Sequence, residues 1–216
     1  MLSCAERDLG FMLEAITAAD GGRYSASPNP AVGCVIVKHG EIIARGFHRR
    51  AGEAHAEIAA LQAAAADANG ATAYVTLEPC NHQGRTGPCS AALIEAGITR
   101  VVYAVADPNL AVGGGGASHL AAAGIEVVCG VGELEAERLH CGFLTRARRQ
   151  RPYVRFKLAI RLDGGAALAD GQSQWIAGPK SRAEVQRLRA QSSAVVTGIV
   201  TLIDYFPILN VRVSFI

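Results

Sequence analysis

His55-Ala56-Glu57, Pro79-Cys80 and Pro88-Cys89 are the residues of this chain whose types and order could do chemistry. One histidine and two cysteines make a three-ligand zinc site whose fourth tetrahedral position is left open. Zinc suits imidazole and thiolate donors and brings no redox chemistry of its own. Pro88 is suited to a helix start, which would put Cys89 at a helix N-terminus where the dipole favours thiolate. Zinc in such a site lowers the pKa of water from ~15.7 to roughly 7. Glu57 has two readings: a fourth ligand, or a base that takes a proton and later returns it. His48 and His82 are rival ligands, and both lack the helix-start position and adjacent glutamate of His55. Taken singly the fragments are weak, because H-A-E arises by chance and paired cysteines are often core. Their order, each at the end of an expected strand or helix, carries the metal reading.

The elements that must position these residues follow from periodicity. Ser3 and Glu6 have capping-box spacing, and Leu9, Met12, Leu13 and Ile16 recur at helical intervals up to Gly21-Gly22. The breaker-rich stretch 27–33, SPNPAVG, is an ordered loop. Two apolar runs around His39-Gly40 predict a hairpin over 34–47, and 54–68 is helix-forming up to Asn69-Gly70. Strands are expected at 71–77, 100–107 and 125–130, alternating with helices at 90–97, 117–124 and 133–147. This pattern predicts an α/β sandwich with a mixed sheet. The loop 107–116 follows a strand end, where α/β proteins commonly place ligand contacts. A boundary is expected between 146 and 152, followed by a strand at 153–160, a helix at 181–191 and a strand at 194–200.

Bulk properties narrow the field. The chain has 216 residues, half of them apolar, 19% charged, with a net charge of +2. That composition builds a core and argues against a dedicated nucleic-acid binder. No apolar run approaches the ~18 residues that span a bilayer, so no membrane association is expected. The first ten residues carry acids and no long apolar run, which predicts no signal peptide and a cytoplasmic location. There thiols stay reduced, so the six cysteines are not a disulfide framework. Cys34, Cys129 and Cys141 are expected in the core, and His39, His119 and His140 in turns or at the surface.

The ordered set H-x-E, P-C and a second P-C resembles the zinc deaminases, with eight residues between the cysteines in place of the short C-x-x-C form. The segments HAEIAAL, GATAYVTLEPCNHQGRTGPC, ITRVVYAVADPN and SPNPAVGCVIVKHGEIIARGFHRRAGEAHAE, and further on SQWI, closely resemble the bifunctional riboflavin-biosynthesis deaminase/reductase family. The resemblance implies a cytidine-deaminase-like three-layer sandwich with a mixed sheet over 1–147. A truncated fragment of a dihydrofolate-reductase-like α/β domain would follow over 152–216. It further implies hydrolytic deamination of 2,5-diamino-6-ribosylamino-4(3H)-pyrimidinone 5′-phosphate to 5-amino-6-(5-phosphoribosylamino)uracil, with release of ammonia. On this resemblance His55, Cys80 and Cys89 bind zinc and Glu57 is the proton donor. Asn29, His48, His82 and Arg85 contact the substrate, with the planar fork of Arg85 suited to phosphate. Gly87 stands where the family usually has a second proline.

The C-terminal piece resembles the opening of the family's NADPH-dependent reductase at Lys157, Asp163, Ser173, Trp175, Arg189, Thr197, Gly198, Thr201, Leu209 and Arg212. It departs at Tyr205-Phe206-Pro207, where the family has Asp-Asp-Pro. The expectation is that reductase activity is absent and that NADPH would be a cofactor only of a complete reductase domain. The expected partner is a phosphorylated pyrimidine, not a nucleic acid or a membrane, with self-association into a homo-oligomer. The alternatives are a deaminase of another nucleoside or of a tRNA base, and an inactive zinc-stabilised remnant.

Overall fold

The structure, a computed structural model, describes residues 3–83, 87–108, 115–168, 176–205 and 207–212. Arg85, Ser173 and Trp175 lie outside the described residues. The chain divides into two units, Met1–Tyr153 and Val154–Ile216.

The first unit is a five-stranded sheet in the order β2-β1-β3-β4-β5. β1 is Gly33–Lys38, β2 Glu41–Phe47, β3 Thr72–Leu77, β4 Arg100–Val105 and β5 Glu126–Cys129. β1 runs antiparallel to β2 and to β3, whereas β3, β4 and β5 are parallel. The sheet is therefore mixed, as expected. A turn at His39-Gly40 closes the β1–β2 hairpin, and helical crossovers join the parallel strands, as parallel pairing demands.

Helices cover both faces. α1 (Cys4–Ala19) and α5 (Glu133–Leu139) lie on one, while α2 (Ala56–Ala64), α3 (Cys89–Glu95) and α4 (Gly116–Ala122) lie on the other. Strand alternation feeds the two cores. Cys34, Ile36, Ala73, Val75 and Val101 join the α2 side, and Val35, Val37, Tyr74, Val102 and Ala104 join the α1 side. Ile36, Val35, Val75, Val101 and Val102 are fully buried, each worth roughly 1.5–3 kcal/mol of apolar transfer. α1 starts with the expected capping box, Ser3 and Glu6 satisfying one another's backbone donors. α2 sits close on the sheet because Gly46 of β2 has no Cβ. A methyl group there would run into the Ala56 carbonyl and the Ala60 amide.

Four expectations are corrected. The helix expected over 133–147 is two, α5 and α6 (Cys141–Arg149), broken at His140. His140 is not at the surface: it is 2% exposed, and its Nε2 lies 3.1 Å from the Thr76 hydroxyl of β3. Cys129 is exposed, at the end of β5, and Cys141 is half-buried, so only Cys34 of the three is a core residue. Towards the C-terminus, 153–160 and 194–198 are not strands, and 199–205 belongs to helix α8 (Ile199–Tyr205). A strand is defined by its ladder, and neither segment has a paired neighbour among the described residues. Val154 and Phe156 are 78% and 83% exposed, so the apolar character that suggested a buried strand is not buried here. The helix expected at 181–191 is present as α7 (Pro179–Ala190), with Pro179 at its start. Among the described residues no helix is long and apolar enough to cross a membrane.

Candidate metal centre and proton-transfer site

Three different elements deliver the donors. His55 is the N-cap residue of α2, with extended backbone (φ −70°, ψ 163°). Cys80 follows the C-terminal end of β3 through Glu78-Pro79, and Cys89 opens α3 after Pro88. The His55 ring and the two sulfurs converge, their ligating atoms all within 4.8 Å of one another. His55 Nδ1 lies 3.2 Å from Cys89 Sγ and 3.5 Å from Cys80 Sγ. The Cys89 backbone N–H points at Cys80 Sγ, 3.4 Å away, and stabilises negative charge there.

Two thiols at this distance cannot both ionise freely. Hydrogen bonds from the Cys89 side chain and from His55, working against burial, bring Cys80 down to about 4. The bond to Cys80, together with burial, pushes Cys89 well up. Cys80 in turn raises His55, against the effect of burial. A divalent cation held by both cysteines would remove the conflict, because it would let both be thiolates at once. Two thiolates and one imidazole are the donors that zinc prefers, so the residues present fit that metal.

Glu57 lies one helical step inside α2 and is 3% exposed. It is not among the three donors that converge. Burial pushes its carboxyl up to about 7, and the Cys80 charge adds to the rise. Hydrogen bonds with its own backbone and with the Cys89 side chain oppose it. A carboxyl raised by burial in this way can both take up and release a proton near neutral pH.

Two of the residues expected to touch substrate, His48 and Asn29, lie beside His55. His48 is 3% exposed, and its Nδ1–H donates to the Ala54 carbonyl at 3.0 Å, one residue before His55. That bond leaves Nε2 as an acceptor, which takes the Asn29 side-chain amide at 3.1 Å. The His48 and His55 rings meet edge to face with centroids 5.3 Å apart. His82 is half-buried, and its Nδ1 atom is buried with no hydrogen-bond partner among the described residues.

In the second unit Arg189 donates to the carbonyls of Ile208 and Asn210, both at 3.2 Å, and the Arg212 N–H donates to Gln186 Oε1 at 3.0 Å. Lys157 and Thr201 are exposed, and Leu209 is half-buried. Sequence reasoning missed Glu78, Ser90 and the partner that His119 makes inside the site. The available signal was adjacency: Glu78 stands two before Cys80, and Ser90 directly after Cys89.

Comparison with known proteins follows the same division of the chain. Residues 5–105 match the cytidine and deoxycytidylate deaminase zinc-binding region, and residues 152–214 match the RibD C-terminal domain. The chain is 50% identical over 212 residues to riboflavin biosynthesis protein RibD of Haemophilus influenzae, covering 98% of this chain and 57% of the relative. It is similar to the structure of Acinetobacter baumannii RibD, at 50% identity and a TM-score of 0.89, over 98% of this chain and 59% of that one. It is also similar to the Thermotoga maritima diaminohydroxyphosphoribosylaminopyrimidine deaminase/5-amino-6-(5-phosphoribosylamino)uracil reductase. There the identity is 42% and the TM-score 0.89, over 95% of this chain and 59% of that one. The fold and the zinc-type site are those of a cytidine-deaminase-like protein. The chain is similar to RibD proteins over nearly all of its own length, and it spans a little over half the length of the relatives it matches.

Proposed function

We propose that this chain hydrolytically deaminates 2,5-diamino-6-ribosylamino-4(3H)-pyrimidinone 5′-phosphate to 5-amino-6-(5-phosphoribosylamino)uracil, an early step of riboflavin biosynthesis in the cytoplasm. Water adds to the amino-bearing ring carbon, the C–N bond breaks, and the amine leaves as ammonia. The observation that carries this reading is the convergence of His55, Cys80 and Cys89 beside a buried Glu57 poised at about 7. The similarity to the Thermotoga maritima deaminase/reductase supplies the substrate.

His55 Nδ1 and the Cys80 and Cys89 sulfurs would hold zinc, which when bound acts as a Lewis acid that makes water nucleophilic near neutral pH. Glu57 is the proton carrier. Buried beside the cluster, its carboxyl can accept a proton from water and pass it to the departing nitrogen. Asn29 is exposed, and the buried His48 fixes its amide, so it can read a polar edge of the ring or ribose at little ordering cost. His82 Nδ1, buried and without a partner among the described residues, needs one that a bound substrate can supply. Arg85 would take the phosphate. This reading covers the deaminase step alone, and the matches at Lys157, Ser173, Trp175, Arg189, Thr201, Leu209 and Arg212 carry no part of it.

The test is ammonia release from this substrate, from cytidine and deoxycytidylate, and from tRNA, by the same zinc-loaded preparation. Turnover confined to the phosphoribosylated diaminopyrimidine supports the reading. Turnover confined to another nucleoside or to tRNA overturns its substrate.

A further inference from the structure

We propose that α4 is a brace that fixes the spacing of Cys80 and Cys89, acting through Glu78 and Ser90 as positioning residues. The inference deepens the metal-site reading above and rests on it.

Glu78 uses both carboxylate oxygens on backbone donors. Oε2 accepts from the Asp107 N–H at 3.2 Å, and Oε1 accepts from the Ala117 N–H at 3.1 Å. Asp107 lies just past the end of β4 and Ala117 in the first turn of α4. The Glu78 backbone N–H is itself tied to the Val105 carbonyl at 2.9 Å. One side chain thus joins the end of β4 and the start of α4 to the residue two before Cys80. The contact is close: the Gly116 backbone is pressed onto Pro79, where a Cβ would run into the Pro79 carbonyl oxygen.

Ser90 does the corresponding work beside Cys89. It is fully buried, and its backbone N–H donates to the Cys80 carbonyl at 3.1 Å. Its hydroxyl donates to Asn81 Oδ1 at 2.8 Å. With its one proton committed there, Ser90 Oγ accepts from His119 Nδ1 at 3.0 Å, which places the imidazole proton on Nδ1. His119 belongs to α4. The same helix therefore reaches both cysteines, through Ala117 and Glu78 on one side and through His119 and Ser90 on the other. Neither Glu78, Ser90 nor His119 is among the converging donors.

The two sulfurs belong to different elements, the end of β3 and the start of α3, and are joined by an eight-residue connection. The Cys89 and Ser90 amides tie the two ends to one another directly, at Cys80 Sγ and at the Cys80 carbonyl, and α4 adds a third element bonded to both. Outer contacts that orient ligands typically change metal affinity 10- to 100-fold when removed.

The experiment is competition for zinc(II) between the purified chain and a chelator of known affinity. It is run on wild type, Glu78→Ala, Glu78→Gln, Ser90→Ala and His119→Ala, with thermal unfolding of each zinc-free protein. Glu78→Ala and Ser90→Ala should each weaken zinc binding by about 10- to 100-fold. Glu78→Gln, which keeps one carbonyl acceptor, should fall between Glu78→Ala and wild type. If Glu78→Ala does not fold, Glu78→Gln and Ser90→Ala decide. Wild-type zinc affinity in folded variants overturns the brace, and so does a lowered zinc-free unfolding midpoint with unchanged affinity, the mark of a merely structural role. Wild type that binds no zinc overturns the metal reading and the brace with it; wild type that binds while the folded variants bind equally well overturns the brace alone.

Discussion

His55 Nδ1 stands 3.2 Å from Cys89 Sγ, although 34 positions of sequence separate the two residues. The contact exists because the start of α2 and the start of α3 meet at one end of the sheet, where β3 also delivers Cys80. Chelation and mutation of this cluster should therefore act on metal content and stability together. Cys80→Ala should lose zinc and lower the thermal midpoint, and a strong chelator should lower the wild-type midpoint in the same direction, because metal affinity is coupled to folding. Metal analysis combined with thermal unfolding checks this. A Cys80→Ala protein with full zinc content would contradict it.

Glu57 should be separable from the metal. Glu57→Gln preserves volume and removes the proton carrier, so zinc content should stay at the wild-type level while kcat falls by about 10²- to 10⁴-fold. Metal content measured on the same sample as turnover decides between the two readings of Glu57. Loss of zinc in this variant would make the carboxylate a ligand.

Asp8 and Arg100 make a two-bond ion pair in the first unit. Arg100 of β4 meets Asp8 of α1 through two bonds at 2.8 and 2.9 Å, and the Tyr74 hydroxyl adds a third at 2.6 Å. The Arg100 bonds hold the Asp8 carboxyl below its ordinary value against burial. Its contribution is present above the unfolded carboxylate range and is lost as pH falls through the folded value. Asp8→Asn should cost about 1–3 kcal/mol near neutral pH, because the partly buried Arg100 guanidinium loses its two-bond partner and keeps only the exposed Glu126 carboxylate at 2.9 Å. Denaturant unfolding at pH 7 and at pH 3 checks this, with the gap between wild type and variant narrowing at the lower pH.

His140 should give a separate acid dependence at higher pH. Burial lowers its folded pKa from 6.5 to about 4. The unfolded chain therefore binds a proton that the native protein refuses. Stability should be full above pH 6.5 and decline as pH falls towards 4, by at most on the order of 3 kcal/mol. His140→Gln should flatten the slope in that window while leaving the lower window of Asp8 intact. An unchanged slope in the variant would assign the acid sensitivity to other groups.

Much of this arrangement was legible in the sequence, for physical reasons that differ by region. The capping box of α1 and the His39-Gly40 hairpin depend on neighbours a few residues apart, so spacing alone discloses them. His55, Cys80 and Cys89 were readable because metal chemistry restricts the donor types and because each stands at an element end. His140 was not readable: its burial depends on Thr76, 64 positions away, and a histidine between two helical runs looks like a surface residue. Glu78 was hidden for a similar reason, since an acid beside Pro79 looks like solvated loop until the amides of Asp107 and Ala117 are brought to it. The segments 153–160 and 194–198 show the opposite failure. Their apolar and β-branched residues suit strands, yet propensity cannot supply the neighbour that a ladder needs.

The most direct test of the central claim is ammonia released from 2,5-diamino-6-ribosylamino-4(3H)-pyrimidinone 5′-phosphate per mole of bound zinc, measured side by side for wild type and Glu57→Gln. The account predicts turnover by the wild type, and a loss of at least about 100-fold in the variant at equal zinc content. A zinc-loaded wild type that releases no ammonia, or a variant that releases it at the wild-type rate, would contradict it.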